Sequence, residues 1–307
     1  MMIMILGVTA SGKSRLAFDL ARKISGEIIS IDSMKVYRRM DIGTAKPSLE
    51  RQKAVKHHLI DIMEPSEAFT AGMFLDNTRD AIDRIKAANK PVIAAGGTAM
   101  YIKTLLYGMF DGPPADEAIR QRLKKQIETE GTADLHRKMT EVDPEAGNRI
   151  HPNDARRIVR ALEVYEITGK PISSFQQQFS AEKPLDDWTI IGLRRPKEQE
   201  SRRMNKRVKI MIEQGLLDEV KSLLAEDKPL SKQAAAAIGY SEMIDHLNGK
   251  LSFDEAVEKI KINTRKFAKS QRTWFKTFKN VHWLDVEENE TPDDILNRAL
   301  LIVSRKS

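Results

Sequence analysis

One glycine-rich loop near the start of the chain restricts the possible folds more than any other feature. Gly7-Val8-Thr9-Ala10-Ser11-Gly12-Lys13-Ser14 fits the pattern G-x-x-x-x-G-K-[ST]. It follows an apolar run at 3–6 that reads as a strand, and it leads into a helical pattern at 13–24. Strand, loop and helix in that order make a phosphate cradle: glycines permit the tight turn, and backbone N–H groups at the helix N-terminus surround anionic oxygens. The expected binding set is Gly7, Thr9, Ala10, Ser11, Gly12, Lys13 and Ser14, with Lys13 supplying a point charge and the Ser14 hydroxyl a ligand for Mg2+.

The remaining periodicity extends this into an α/β core. Residues 27–31 and 91–95 read as strands and 74–88 as a helix between them. This alternation predicts a mainly parallel sheet flanked by helices, whose carboxyl edge would bring 7–14, 32–37 and 96–101 to one crevice. From about Pro113 strand signals vanish, and amphipathic helical patterns run to about Gly169, between Pro113-Pro114 and Lys183-Pro184. Residues 189–193 return as a strand, most of the rest is helical, and 281–284 form a short final strand. The 307 residues thus divide into a phosphate-loop core at 1–115 and 189–307 and an all-helical insertion at 116–188.

Composition removes several chemistries. There is no cysteine, which excludes disulfides, thiolate metal sites and thiol nucleophiles together. Hydrophobic residues at 41% and charged residues at 31% suit a folded core and not a disordered chain. No run approaches the roughly 20 apolar residues of a membrane span. The apolar residues 1–6 are too few for a signal-peptide core, so a cytoplasmic protein without membrane contact is expected. The 51 Lys+Arg against 44 Asp+Glu give a net +7, which favours an anionic partner.

Strand 91–95 runs into Gly96-Gly97-Thr98 and not into the aspartate that commonly assists Mg2+ in nucleotide-hydrolysing proteins. The acid to watch is Asp32, at the end of 27–31. It can cap its own turn with Ser33, or accept a proton from a nucleophile beside a bound diphosphate. Farther on, eight Lys and Arg and no acid lie between Lys259 and Lys279. Helical spacing puts Arg265, Lys269, Arg272, Lys276 and Lys279 on one stripe, suited to nucleic acid or diphosphate. Ile260, Phe267, Trp274 and Phe278 line a roughly opposite face and are expected to anchor the core. A second basic cluster comprises Arg194, Arg195, Lys197, Arg202, Arg203, Lys206, Arg207 and Lys209, with Glu198 and Glu200 its only acids. Together with Arg149, Arg156, Arg157 and Arg160 in the insertion, it suits a long polyanion.

Further motifs join these. They are Asp32-Ser33-Met34-Lys35-Val36-Tyr37, Met40-Asp41-Ile42-Gly43-Thr44-Ala45-Lys46-Pro47 and His57-His58-Leu59-Ile60-Asp61. Gly96-Gly97-Thr98, His151-Pro152-Asn153-Asp154 leading to Arg160-Ala161-Leu162-Glu163-Val164-Tyr165, Ala237-Ile238-Gly239-Tyr240 and Thr273-Trp274-Phe275 follow. In this order, and over nearly the whole chain, they resemble the tRNA dimethylallyltransferase (tRNA isopentenyltransferase) family. The resemblance implies transfer of a five-carbon group from dimethylallyl diphosphate to the exocyclic N6 of the adenine adjacent to the anticodon in tRNA, with release of diphosphate. It implies Asp32 as general base, Thr98 close to the donor phosphates, Mg2+ as cofactor and a monomer that grips the anticodon stem-loop. The implied tRNA contacts are Ser33, Lys35, Arg156, Arg157, Arg265, Lys269, Gln271 and Arg272.

The chain departs from the family pattern at a few positions. Val8 stands where proline is usual, Ala99 where glycine follows Thr98, and Ser270 and Lys276 where arginine is common. Lys35 replaces a glutamine that in the family helps read the target adenine; an ammonium only donates, so it cannot reproduce the amide's paired donor and acceptor. His57 and His58 are expected to be structural. The phosphate loop would also serve a small-molecule kinase, a nucleotide-gated RNA-binding module, or an enzyme that prenylates a free adenine nucleotide.

Overall fold

A computed structural model describes residues 1–109, 112–176 and 184–305. Lys183, read as part of the insertion's far boundary, lies outside the described residues. The first segment alternates β1 (Met2–Gly7), α1 (Lys13–Ile24), β2 (Glu27–Ile31), α2 (Leu49–Ala54), β3 (His57–His58), α3 (Ala71–Ala87), β4 (Val92–Gly96) and α4 (Ala99–Tyr107). Helices α5 (Glu117–Glu130), α6 (Thr132–Val142), α7 (Pro144–Arg149) and α8 (Ala155–Thr168) come next. The last segment holds β5 (Trp188–Arg194), α9 (Lys197–Glu213), α10 (Leu216–Leu224), α11 (Lys232–Ala235), α12 (Tyr240–Leu247), α13 (Phe253–Phe275), β6 (Val281–Asp285) and α14 (Pro292–Ser304).

The strands form one sheet in the order β3-β2-β4-β1-β5-β6, every pairing parallel. All six residues of β1 are buried, as a central parallel strand covered on both faces requires. Ile3, Ile5, Ile28, Ile93, Ile191 and Leu193 face Leu16 and Leu20 of α1 and Ala299 and Val303 of α14. Met4, Leu6, Ile29 and Ile31 alternate with them toward the opposite face, where α3 and α13 meet the sheet. This order sets the carboxyl ends of β2, β4 and β1 side by side. At the junction an added Cβ on Gly96 would collide with the Ile31 carbonyl, so the close approach of β4 to β2 needs glycine. The short β3 gave no sequence signal; its two residues pair only with Ile28 and Ile29.

Residues 107–185 form a separate compact unit. Its core contains Leu123, Leu135, Met139, Ile158 and Leu162. The buried Glu163 accepts from the Asp116 backbone N–H at 2.7 Å and pairs with Arg160 at 2.6 Å and Arg120 at 2.9 Å. Arg160, read from sequence as a polyanion contact, is therefore committed to an internal carboxylate. Arg149 likewise donates to Gln176, and Arg157 pairs with Asp154 at 3.4 Å, while Arg156 is exposed.

At the amino end of β2, buried Glu27 accepts from Lys90 at 2.8 Å and contacts His58 Nε2 at 2.7 Å; His57 Nδ1 meets the Val55 carbonyl at 2.7 Å. Both histidines thus have structural partners. Burial alone would raise the Glu27 carboxyl, but the hydrogen bonds from Lys90 and His58 outweigh it and hold it below the usual carboxylate range. A depressed folded pKa stabilises above the unfolded value of about 4.3 and is lost as pH falls through the folded one. Glu27→Gln is accordingly expected to cost about 1–2 kcal/mol at neutral pH in urea unfolding, a deficit that shrinks below about pH 4. A deficit of the same size in acid would contradict the charged pairing.

Candidate active site

The phosphate loop turns through two left-handed residues, Ala10 at φ 61° and Gly12 at φ 105°. The Ser11 N–H donates to the Val8 carbonyl at 3.1 Å, and Lys13 Nζ donates to the same oxygen at 3.2 Å. No side chain caps the N-terminus of α1, so its first N–H groups stay available to an anion.

Distant segments hold the outer rim of this loop. Arg195 Nε donates to the Ser11 carbonyl and Arg203 Nε to the Ala10 carbonyl, each at 2.8 Å. Gln271 Oε1 accepts from the Thr9 N–H at 2.8 Å, while its Nε2 donates to the Gly97 carbonyl at 2.8 Å. The Thr9 hydroxyl accepts from Arg207 at 3.3 Å. Two members of the second basic cluster thus clasp loop carbonyls and a third enters the site, which corrects the polyanion reading for Arg195, Arg203 and Arg207; Lys197, Lys206 and Lys209 are exposed. Thr9 also differs from expectation: its amide serves Gln271 and is not free for phosphate.

The end of β2 supplies the acid. Asp32 Oδ1 accepts from the N–H groups of Met34 at 2.9 Å and Lys35 at 3.3 Å, so the carboxylate caps its own turn. It also lines the main cavity. Thr98 fixes this turn from β4: its hydroxyl accepts from the Ser33 N–H at 3.1 Å, and its own N–H donates to the Ile31 carbonyl at 3.3 Å.

The cavity measures about 570 Å³ and joins Lys13, Ser14, Asp32, Lys35, Thr98 and Arg207. Three cations therefore face one carboxylate. Burial lowers the Lys13 ammonium to about 7, helped by Lys35 and Arg207 and opposed by Asp32. Burial likewise lowers Lys35, and it lowers Arg207 against the pull of Asp32. Such clustered, partly dehydrated cations gain their missing counter-charge from an anion. Apolar side chains make up much of the remaining wall: Met204, Val208 and Met211 from α9, Ile238, and Ile260 and Phe267 from α13. A ligand that joins a polyanion to a small apolar group fits this lining. Among the described residues no group of three or more His, Cys, Asp or Glu could hold a metal alone. Ser14, exposed at the start of α1, offers a hydroxyl oxygen of the kind that suits a divalent cation.

The basic helix α13 differs from its sequence reading in three places. Gln271, expected to touch tRNA, is 3% exposed and belongs to the loop clasp. Arg272 pairs with the buried Glu200. Phe267, expected in the core, is 43% exposed and lines the cavity. Arg265 donates to Asn205 at 2.9 Å, Lys269 is exposed, and Lys103 lies over the Trp274 ring at 5.8 Å. Ser33 and Lys35 sit in the cavity wall and not on an outer surface. Arg207 was read from sequence only as one member of the second basic cluster; its place in the cavity wall was not expected.

A family profile described as IPP transferase matches residues 35–278. The chain is 45% identical over 288 residues to "tRNA dimethylallyltransferase 2" of Geotalea uraniireducens, covering 94% of this chain and 93% of that one. Among solved structures it resembles a tRNA delta(2)-isopentenylpyrophosphate transferase from Staphylococcus epidermidis, with TM-score 0.72 and 38% identity over 100% of this chain and 99% of that one. It also resembles a eukaryotic dimethylallyltransferase acting on tRNA, with TM-score 0.80 and 27% identity over 99% of this chain and 78% of that one.

The clasp generates a test that needs only a simple anion. Gln271→Leu removes the bonds that tie α13 to Thr9 of the loop and to Gly97 after β4, and is expected to weaken inorganic pyrophosphate binding by about tenfold in calorimetric titration. Lys269→Ala should leave it unchanged. The reverse pattern would return Gln271 to the outer surface.

Proposed function

The chain belongs to the IPP transferase family, and from that premise we propose that it transfers a dimethylallyl group from dimethylallyl diphosphate to N6 of the adenine beside the anticodon of tRNA. The observation that carries this reading is one cavity that brings Lys13, Lys35, Arg207 and Asp32 together with apolar side chains of α9 and α13. An adenine amine is a poor nucleophile, so the donor must ionise readily. The allylic C–O bond breaks with its electron pair staying on the diphosphate, the N6–C bond forms, and the amine proton passes to the Asp32 carboxylate. The cations and the open N–H groups of α1 stabilise the charge that builds on the leaving diphosphate. Mg2+, held by Ser14 and the donor's own oxygens, would add to that neutralisation.

The five-carbon chain fits against Met204, Val208 and Met211, and a kinase would have no use for such a wall. The target base must leave its stack to reach Asp32. The exposed Lys266 and Lys269, with Arg265, offer the anticodon stem-loop its phosphate contacts on α13, and Arg156 offers one on the helical unit. Lys35 and Ser33, beside Asp32, are the residues closest in sequence to the acid that can meet the entering base or the donor. Among the described residues no helix is long and apolar enough to cross a membrane.

Asp32→Asn keeps an oxygen for the Met34 and Lys35 caps but cannot take a proton. It is expected to bind tRNA normally and lose at least ~10²-fold in kcat under single-turnover conditions. Near-normal turnover would remove Asp32 from the chemistry.

The pH response of the donor step follows from Lys13. In the free enzyme its ammonium loses charge as pH rises through about 7, so kcat/KM for dimethylallyl diphosphate should fall above that point. Bound diphosphate restores the charge, so kcat should not fall with it. Lys13→Arg stays charged and should abolish the falling limb whatever its absolute rate. A limb that persists in that variant would belong to another group.

A further inference from the structure

Gly43, Thr44 and Ala45 form one wall of the cavity, and a residue outside the cavity holds them in place. Glu219 of α10 sets its carboxylate beneath three successive backbone N–H groups. Its Oε2 accepts from Asp41 at 3.0 Å and Ile42 at 2.8 Å, and its Oε1 accepts from Gly43 at 3.3 Å. The Tyr240 hydroxyl donates to the same Oε1 at 2.6 Å. Tyr240 is fully buried, and an added Cβ on Gly43 would collide with its ring, so carboxylate, ring and loop backbone form one packed unit. Burial first, and the Glu219 charge second, push the Tyr240 hydroxyl up, which keeps it a donor.

The loop passes this constraint on. The Thr44 hydroxyl donates to the Met40 carbonyl at 2.7 Å, and the Thr44 carbonyl accepts from Arg207 Nη2 at 3.4 Å. Arg207 Nη1 donates to the Thr9 hydroxyl at 3.3 Å. Both bonds to this guanidinium are long, so small movements of the loop change where it points.

We propose that Glu219 is a positioning residue for the diphosphate donor: by fixing 41–44 it aims the Thr44 carbonyl at Arg207 and holds that guanidinium toward the leaving group. This rests on the reading of Arg207 as a ligand of the donor diphosphate. Glu219 touches neither substrate. A glutamine in its place would keep one acceptor oxygen and turn an NH2 group toward N–H donors, so part of the loop would detach.

The test is a double-mutant cycle of Glu219→Gln and Arg207→Ala, with KM measured separately for dimethylallyl diphosphate and tRNA. Glu219→Gln is expected to raise the donor KM about tenfold, leave the tRNA KM within about twofold, and add nothing in the Arg207→Ala background. Tyr240→Phe removes one of the four donors and should raise the donor KM in the same direction by less; it carries the same cycle if Glu219→Gln does not survive folding. Equal rises in both KM values, or a full additive penalty on top of Arg207→Ala, overturn the positioning role alone. An unchanged donor KM in Arg207→Ala overturns the proposed donor site and this role with it.

Discussion

The site depends on charge held without its counter-charge. Lys13, Lys35 and Arg207 repel one another in a part-buried cavity where Asp32 is the one lining acid; Lys13 is tethered to the Val8 carbonyl and Arg207 to Thr9 and Thr44. The phosphate loop itself is held from its rim. Gln271, Arg195 and Arg203 come from more than 180 residues away and engage the Thr9 amide and the Ser11 and Ala10 carbonyls, leaving the N-terminus of α1 for the ligand. An incoming diphosphate then relieves a strain already present, so binding it should stabilise the fold in proportion to the logarithm of its concentration over Kd.

The same arrangement explains why a phosphate loop can serve transfer of a carbon chain and not only phosphoryl transfer. β4 ends in Gly96-Gly97-Thr98, and no aspartate follows it. The glycines let α13 come close: an added Cβ on Gly97 would collide with Gln271. With α13 close, Ile260, Thr264, Phe267 and Gln271 recur at i, i+4, i+7 and i+11 and line the cavity together. One helix face therefore supplies both the apolar wall and the clasp on the loop, while Lys266 and Lys269 stay outside.

The parts of this that were legible in the sequence are local. The strand-loop-helix around Gly7–Ser14 is specified within a few residues by glycines and apolar period, and the parallel sheet follows from the alternation after it. β3 was invisible because a two-residue strand has no periodicity; its pairing with Ile28 and Ile29 comes from the partner strand. Phe267 was sorted onto the correct face of α13, but period alone does not say whether a face meets core or cavity. Gln271 stood among lysines and arginines, and nothing nearby shows that its amide would find Thr9 and Gly97. Arg160, Arg195, Arg203 and Arg272 were legible as charge only; their partners, Glu163, two loop carbonyls and Glu200, are properties of the folded chain.

The most direct test of the central claim is the fate of the donor's two halves. Purified protein would be incubated with tRNA and dimethylallyl diphosphate labelled in its five-carbon group, and nucleosides would be analysed after digestion while diphosphate is measured in parallel. The account predicts one diphosphate released for each labelled N6-dimethylallyl adenosine, with no turnover of ATP in its place. Steady ATP turnover without label in the RNA, or label on free adenine nucleotide and none on tRNA, would contradict it.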